Sequence, residues 1–302
     1  MSRTLLGLVI LGSSASPALA QVPPDPQRPA VEVMETTGSV SVRGVADDYL
    51  VLPDGGELGT DLKLVTADSF AGMPLKFSDL GLFTLHGRVA LHHRLELEAH
   101  TTVVPKQPSY SDEKVWQSAG AALRIALGHR TSLALAGDGG HLLDHTGLWT
   151  ESALVVEHRK RITRLTSFDL RGGADLITVG DAGTTAHVGE LQGAAAAQFR
   201  DPDGYVGGWL GLSYALPIVH GGIDPTDDMT VDPQPRLDLH IGVSLSPVQA
   251  WDIYIEAAIV DRGDLSNPAT RLPILDGGFD QKQVTLGVVR HFEPKHRVDE
   301  GS

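Results

Sequence analysis

The sequence contains no cysteine, few aromatic residues and no long hydrophobic run, and each absence excludes a class of protein. A chain without cysteine is not a disulfide-stapled secreted module. No segment beyond the N-terminus approaches the roughly 20 apolar residues that a membrane-spanning helix needs. Basic residues are also scarce, because 24 Lys and Arg stand against 38 Asp and Glu, giving a formal charge of −14. Nucleic acid is therefore not expected as a partner.

What the sequence has instead is glycine, with 34 residues, and many short apolar stretches. This composition argues against a helical bundle. A disordered chain is not expected either, because 41% of the residues are hydrophobic and can bury a core. The length of 302 residues fits one or two domains.

The N-terminus is predicted to be a cleavable export signal over residues 1–20. Arg3 supplies a positive charge, residues 5–11 form a short apolar run, and Ala18-Leu19-Ala20 is a small-x-small cleavage site. The following residues, 21–57, begin with four prolines in ten positions and are expected to be a poorly ordered or periplasmic segment.

From residue 81 onward, apolar and polar residues alternate with a period of two, which predicts strands with one apolar and one polar face. The stretch 236–245 is the clearest example. Its apolar face consists of Leu237, Leu239, Ile241, Val243 and Leu245.

Short and long connections are predicted to alternate strictly along these strands. The short ones are His92-His93, Gly128-His129-Arg130, His158-Arg159-Lys160, 201–204 and 246–249. The long ones, rich in Pro, Gly and Asp, lie near 105–115, 139–146, 172–186, 217–235 and 261–281. In an antiparallel meander this order places tight turns at one rim and long loops at the other, which is typical of a transmembrane β-barrel.

On these features the chain resembles a Gram-negative outer-membrane β-barrel protein of the porin-like kind. The resemblance includes the last strand, whose closing aromatic, Phe292, resembles the C-terminal signal read by the barrel-assembly machinery. It implies an all-β fold, an antiparallel up-and-down transmembrane β-barrel over residues 58–293 with a C-terminal tail at 294–302. It also implies short periplasmic turns, longer extracellular loops and location in the cell outer membrane.

The strand number is predicted to be about twelve. Eleven strands are visible between residues 81 and 293, and a closed barrel of this kind has an even number. A twelfth strand is therefore expected within residues 58–68.

The polar faces of the strands are predicted to line the lumen, and they carry charges of both signs. The lumen-facing charged residues are predicted to be Arg88, Arg94, Glu96, Glu98, His100, Asp238, His240, Asp252 and Glu256. Two interpretations stay open. The lumen is either a narrow water-filled pore with a charge filter or a space closed by a network of ion pairs.

No metal ligand, cofactor or catalytic residue is predicted. The cluster of Asp138, His141, Asp144 and His145 does not match a calcium-loop spacing. Ser167 and Ser213 lack the setting of a nucleophile elbow, so the chain is predicted not to be an enzyme.

The favoured function is that of a structural or interaction subunit in a cell-envelope assembly, such as an adhesion, export or gliding-motility complex. The alternative is a porin-like channel for small solutes. Outer-membrane lipid is the expected partner, together with periplasmic or other envelope proteins.

Overall fold

A computed structural model describes residues 55–70, 73–106, 116–128, 130–142, 147–181, 184–201, 205–222, 233–248, 250–262 and 278–292. The predicted export signal, almost all of the proline-rich segment and the predicted C-terminal tail lie outside these ranges. No helix among the described residues is long and apolar enough to cross a membrane.

The described residues form twelve antiparallel strands that close into a barrel. Each strand pairs with its neighbours in the chain, and β1 pairs with β12 from Gly56 opposite Phe292 to Thr66 opposite Lys282. The strands are β1 Gly56–Phe70, β2 Met73–His92, β3 Leu95–Lys106, β4 Trp116–Gly128, β5 Thr131–His141, β6 Leu148–Arg161, β7 Thr166–Asp181, β8 Thr184–Arg200, β9 Val206–Gly222, β10 Arg236–Val248, β11 Trp251–Asp261 and β12 Gln281–Phe292. The prediction of an all-β, twelve-strand barrel is confirmed.

Alternation along each strand divides the residues between two environments. In β10 every second residue from Arg236 to Ser246 is buried inside the barrel, and the residues between them are exposed. The exposed face of β10 is apolar, and Ile241 on it is 58% exposed. An uninterrupted apolar outer surface is unfavourable in water and is what contact with lipid requires.

Two predicted connections were wrong. β6 continues through His158, Arg159 and Lys160, and the turn follows at residues 162–165. Three consecutive basic residues were interpreted as an exposed turn. The strand can continue through them because Arg159 points into the lumen, where Asp169 neutralises it. The stretch 172–186 is almost entirely strand, since β7 and β8 extend to its two central residues.

The strict alternation of short and long connections was also wrong. β1–β2 and β7–β8 are joined across only two residues each, 71–72 and 182–183, at the rim where long loops were expected. Both hairpins consist of long strands of 15 to 20 residues. Residues that were expected to form loops therefore extend the barrel wall instead. The opposite rim has tight turns throughout its described residues, and we call it the turn rim and the other the loop rim.

Candidate functional site: the barrel lumen

The lumen is lined by the alternate inward residues of all twelve strands, and most of the nine predicted lumen residues lie there. The inward group is Arg88, Glu96, Glu98, His100, Asp238, His240, Asp252 and Glu256. Arg94 is different, because β2 ends at His92 and Arg94 is an exposed residue of the following turn. Its assignment to the lumen was wrong, since a two-residue turn at 93–94 breaks the alternation there.

One ionic network joins β1 to β4 in the half of the lumen near the turn rim. Arg88 donates to Glu57 from Nε over 2.5 Å and lies 3.7 Å from Glu96. Arg124 lies 3.0 Å from Glu98 and 3.8 Å from the other oxygen of Glu96. Glu96 is fully buried between the two guanidinium groups, so each acid in this network has a basic neighbour.

The closing seam of the barrel carries a second pair of ionic contacts. The two ring nitrogens of His291 on β12 lie 2.8 Å from Glu57 and 2.7 Å from Asp252. The imidazole therefore bridges β1 and β11 from the strand between them. Its contacts fix the side-chain arrangement at the one place where the first and last strands meet.

The opposite wall, β6 to β8, has an ionic cluster of its own. Arg159 donates to both carboxylate oxygens of Asp169 over 2.8 Å each, and Gln198 donates to the same carboxylate over 2.9 Å. Arg171 lies 3.4 Å from Glu157, which also accepts from Ser132. A bidentate arginine–carboxylate pair is among the stronger polar contacts in proteins.

Two aromatic side chains extend into the lumen between these walls. Trp209 on β9 donates its indole N–H to Glu256 on β11 over 2.7 Å, and its ring lies edge-on to Tyr254 at 6.2 Å. The Tyr254 hydroxyl donates to Asp61 on β1. Contacts of this kind reach over intervening strands, so they narrow the lumen near its middle.

The half of the lumen near the loop rim has a different lining. Phe279, which precedes β12, is buried in an apolar cluster with Val65, Leu75, Leu80, Leu82 and Val104 of the β1–β3 wall. Leu142, Trp149, Ile177 and Val188 form a second apolar cluster on the β5–β8 side. Between them Arg262, which follows β11, lies 2.5 Å from Glu190 on β8.

Burial shows how open this lumen is. Most inward charged residues along its length, from Arg88 and Asp252 to Glu190 and Arg262, are between 0 and 8% exposed. Side chains lining a water-filled passage would be more exposed than this. The lumen in this conformation is therefore largely filled by its own polar side chains.

Sequence reasoning missed several participants in these networks. Arg159 lies inside β6, at a place where a turn was predicted. His291 is an inward residue of β12, and only the outward residues of that strand were used in the prediction. Arg262 belongs to no strand, so no alternation marks it. Among the residues that the structure describes, no group of three or more metal-ligating side chains is arranged to hold a metal ion.

Comparison with known proteins gives the fold a context. No protein-family model matches the sequence, and no curated protein matches it. Among solved structures, the NanC porin is 8% identical and aligns over 78% of this chain and 100% of its own, with a TM-score of 0.51. An outer membrane channel from Pseudomonas putida F1 is 17% identical and aligns over 81% of this chain and 98% of its own, also at 0.51. The chain therefore has the fold of the outer-membrane β-barrel porins.

Proposed function

We propose that this protein is a porin-like channel of the outer membrane, with a narrow lumen that admits small solutes according to charge. The observation that carries the proposal is the closed barrel whose outer face is apolar while its inner face holds ionisable groups of both signs from end to end. The two structures named above are themselves described as a porin and an outer membrane channel.

Passage through such a lumen requires side chains to move aside. The ionic networks use long arginine and glutamate side chains with several rotatable bonds, so the networks open by side-chain rearrangement without movement of the barrel wall. We propose that solutes exchange contacts with these groups one after another, so that size and charge together set selectivity. No catalytic step is part of the proposed function.

The second candidate is a non-conducting barrel that serves as a structural or interaction subunit of an envelope assembly. The near-complete burial of the inward charged residues favours it, since a filled lumen gives a stable body. Envelope or periplasmic proteins would then be its partners, beside the outer-membrane lipid that both candidates require.

Single-channel recording in planar bilayers separates the two candidates. Trp209 extends into the lumen, so Trp209→Ala should raise the unit conductance above that of the unaltered protein. Trp251 on the outer face is the matched control, and Trp251→Ala should leave the unit conductance unchanged. If neither the unaltered protein nor Trp209→Ala conducts, while both insert into the bilayer, the channel proposal is wrong and the structural candidate replaces it.

A further inference from the structure

Four carboxylates form a continuous arc on the inward wall of four consecutive strands, β5 to β8. Asp138 lies directly opposite Glu151, and Asp175 lies directly opposite Glu190. Glu151 and Asp175 are diagonal neighbours across β6 and β7, because Ile177 is the direct partner of Glu151. Like charges directly opposite one another destabilise a sheet, so this acidic arc is costly without cations.

Two basic side chains contact the acidic arc at its ends, and Arg236 on β10 acts on Glu151 and Asp175 from a longer distance. His100 lies 3.0 Å from Asp138, and Arg262 lies 2.5 Å from Glu190. Within the described ranges, no basic side chain forms an ion pair within 4 Å of Glu151 or Asp175. One oxygen of Asp175, a side chain that is only 6% exposed, has no hydrogen-bond partner there, whereas the other oxygen accepts from the Gln192 amide.

Arg262 contacts the acidic arc from a segment that is not part of any strand. It directly follows β11, and its backbone N–H donates to the Asp280 carboxylate over 2.7 Å. From there its guanidinium donates to both oxygens of Glu190, over 2.5 and 3.4 Å, although β9 and β10 separate β8 from β11 in the sheet. The structure thus shows the acidic arc already binding a guanidinium group that belongs to the chain itself.

A buried tryptophan adjoins the same carboxylates. Trp149 precedes Glu151 by two residues on the inward face of β6 and packs in the apolar cluster of Leu142, Ile177 and Val188. Its indole N–H has no hydrogen-bond partner among the described residues. An aromatic face beside carboxylates is the combination that recognises organic cations.

We propose that the acidic arc is a binding site for solutes that carry a guanidinium or ammonium group, and that Arg262 occupies it as a tethered competitor. The proposal rests on the channel function and names its substrate class, since the acidic arc lines the passage. A solute cation replaces Arg262 at Glu190 and extends to the Asp175 oxygen that has no hydrogen-bond partner, while its aliphatic part contacts Trp149. Anionic solutes are disfavoured at the same place.

Methylguanidinium is a suitable probe because it reproduces the end of the arginine side chain and does not enter detergent micelles. Arg262→Ala opens the place of the guanidinium, so millimolar methylguanidinium should raise the melting temperature of this variant and change the fluorescence of Trp149. Loss of a tethered competitor should strengthen apparent binding by about tenfold over the unaltered protein. Arg262→Gln, which keeps an amide donor for Glu190, serves where the alanine variant assembles poorly.

The controls separate specific binding from general salt effects. Adding Glu190→Gln and Asp175→Asn to Arg262→Ala should abolish both the rise in melting temperature and the fluorescence change. Acetate in place of methylguanidinium should cause neither. Adding Trp149→Phe to Arg262→Ala should remove only the fluorescence change. A melting temperature of Arg262→Ala and Arg262→Gln that does not depend on methylguanidinium overturns the proposal. Because these measurements need no conductance, they stand apart from the bilayer test, where Arg262→Ala should shift the reversal potential toward cations.

Discussion

Asp169 shows how much of the stability of this barrel depends on single buried ion pairs. Its carboxylate accepts from Arg159 on β6 and from Gln198 on β8, so it connects the strands on both sides of β7. Both members of the Arg159–Asp169 pair are almost completely buried. Removing one partner of such a pair leaves a charge that is costly to keep away from water.

We therefore expect Asp169→Ala to lower the free energy of unfolding by about 3–5 kcal/mol, because Arg159 then lacks its carboxylate. The measurement is urea unfolding of the refolded barrel in lipid vesicles. Arg164→Ala, in the exposed turn after β6, should change it by less than about 0.5 kcal/mol.

A double variant makes the same test independent of general damage to the fold. Asp169→Ala combined with Arg159→Met removes the arginine charge that has lost its partner. The double variant should therefore be more stable than Asp169→Ala alone. If the two losses simply add, the contact between Arg159 and Asp169 contributes nothing and the interpretation of this network is incorrect.

At the scale of the strand, β10 shows how one alternating sequence serves two solvents. Its outward residues are aliphatic, whereas the inward ones include Arg236, Asp238 and His240. Arg236 lies 3.1 Å from Asp238, and Ser213 on β9 donates to the same carboxylate. The outer face needs only apolarity, while the inner face needs a partner for each polar group.

A charge placed on the outer face of β10 should cost more at its middle than at its end. Ile241→Arg should lower the free energy of unfolding by about 2–4 kcal/mol, because position 241 lies near mid-bilayer. Val248→Arg should lower it by only about 0–1 kcal/mol, because Val248 is the last residue of the strand. Val248 is the matched control since it is comparably exposed, at 54% against 58%. Equal costs in urea unfolding from vesicles would show that this face does not contact a bilayer of the expected depth.

These examples also explain what the sequence was able to predict. Outward residues obey a simple rule, so alternation such as that around Ile241 and Ile255 predicted eleven strands, and the even strand number of a closed barrel predicted the twelfth. Arg159 and the glycine pair at 172–173 resemble turn residues in composition, and only their pairing across strands shows them to be wall. Arg262 reaches Glu190 over a separation of 72 residues, and no local pattern encodes such a contact.

At the scale of the whole molecule, the even strand number places both ends of the barrel at one rim. Gly56, which begins β1, lies opposite Phe292, which ends β12, and the tight turns are at the same rim. Exposed Arg94, Arg130 and Arg164 lie in three of these turns. In bacterial outer-membrane barrels the short turns are periplasmic and the other rim is extracellular. We expect the same orientation here.

The absence of cysteine allows this orientation to be tested with single substitutions. Gln234→Cys, at an exposed position just before β10 on the loop rim, should react with a membrane-impermeant maleimide on intact cells. Arg164→Cys, exposed in the turn between β6 and β7, should react only after the outer membrane is permeabilised. The unaltered protein, which has no thiol, gives the background. Labelling of Arg164→Cys on intact cells, with Gln234→Cys protected until permeabilisation, would mean that the barrel is inserted with its basic turns outward, and the lumen half containing Arg262 would then face the periplasm.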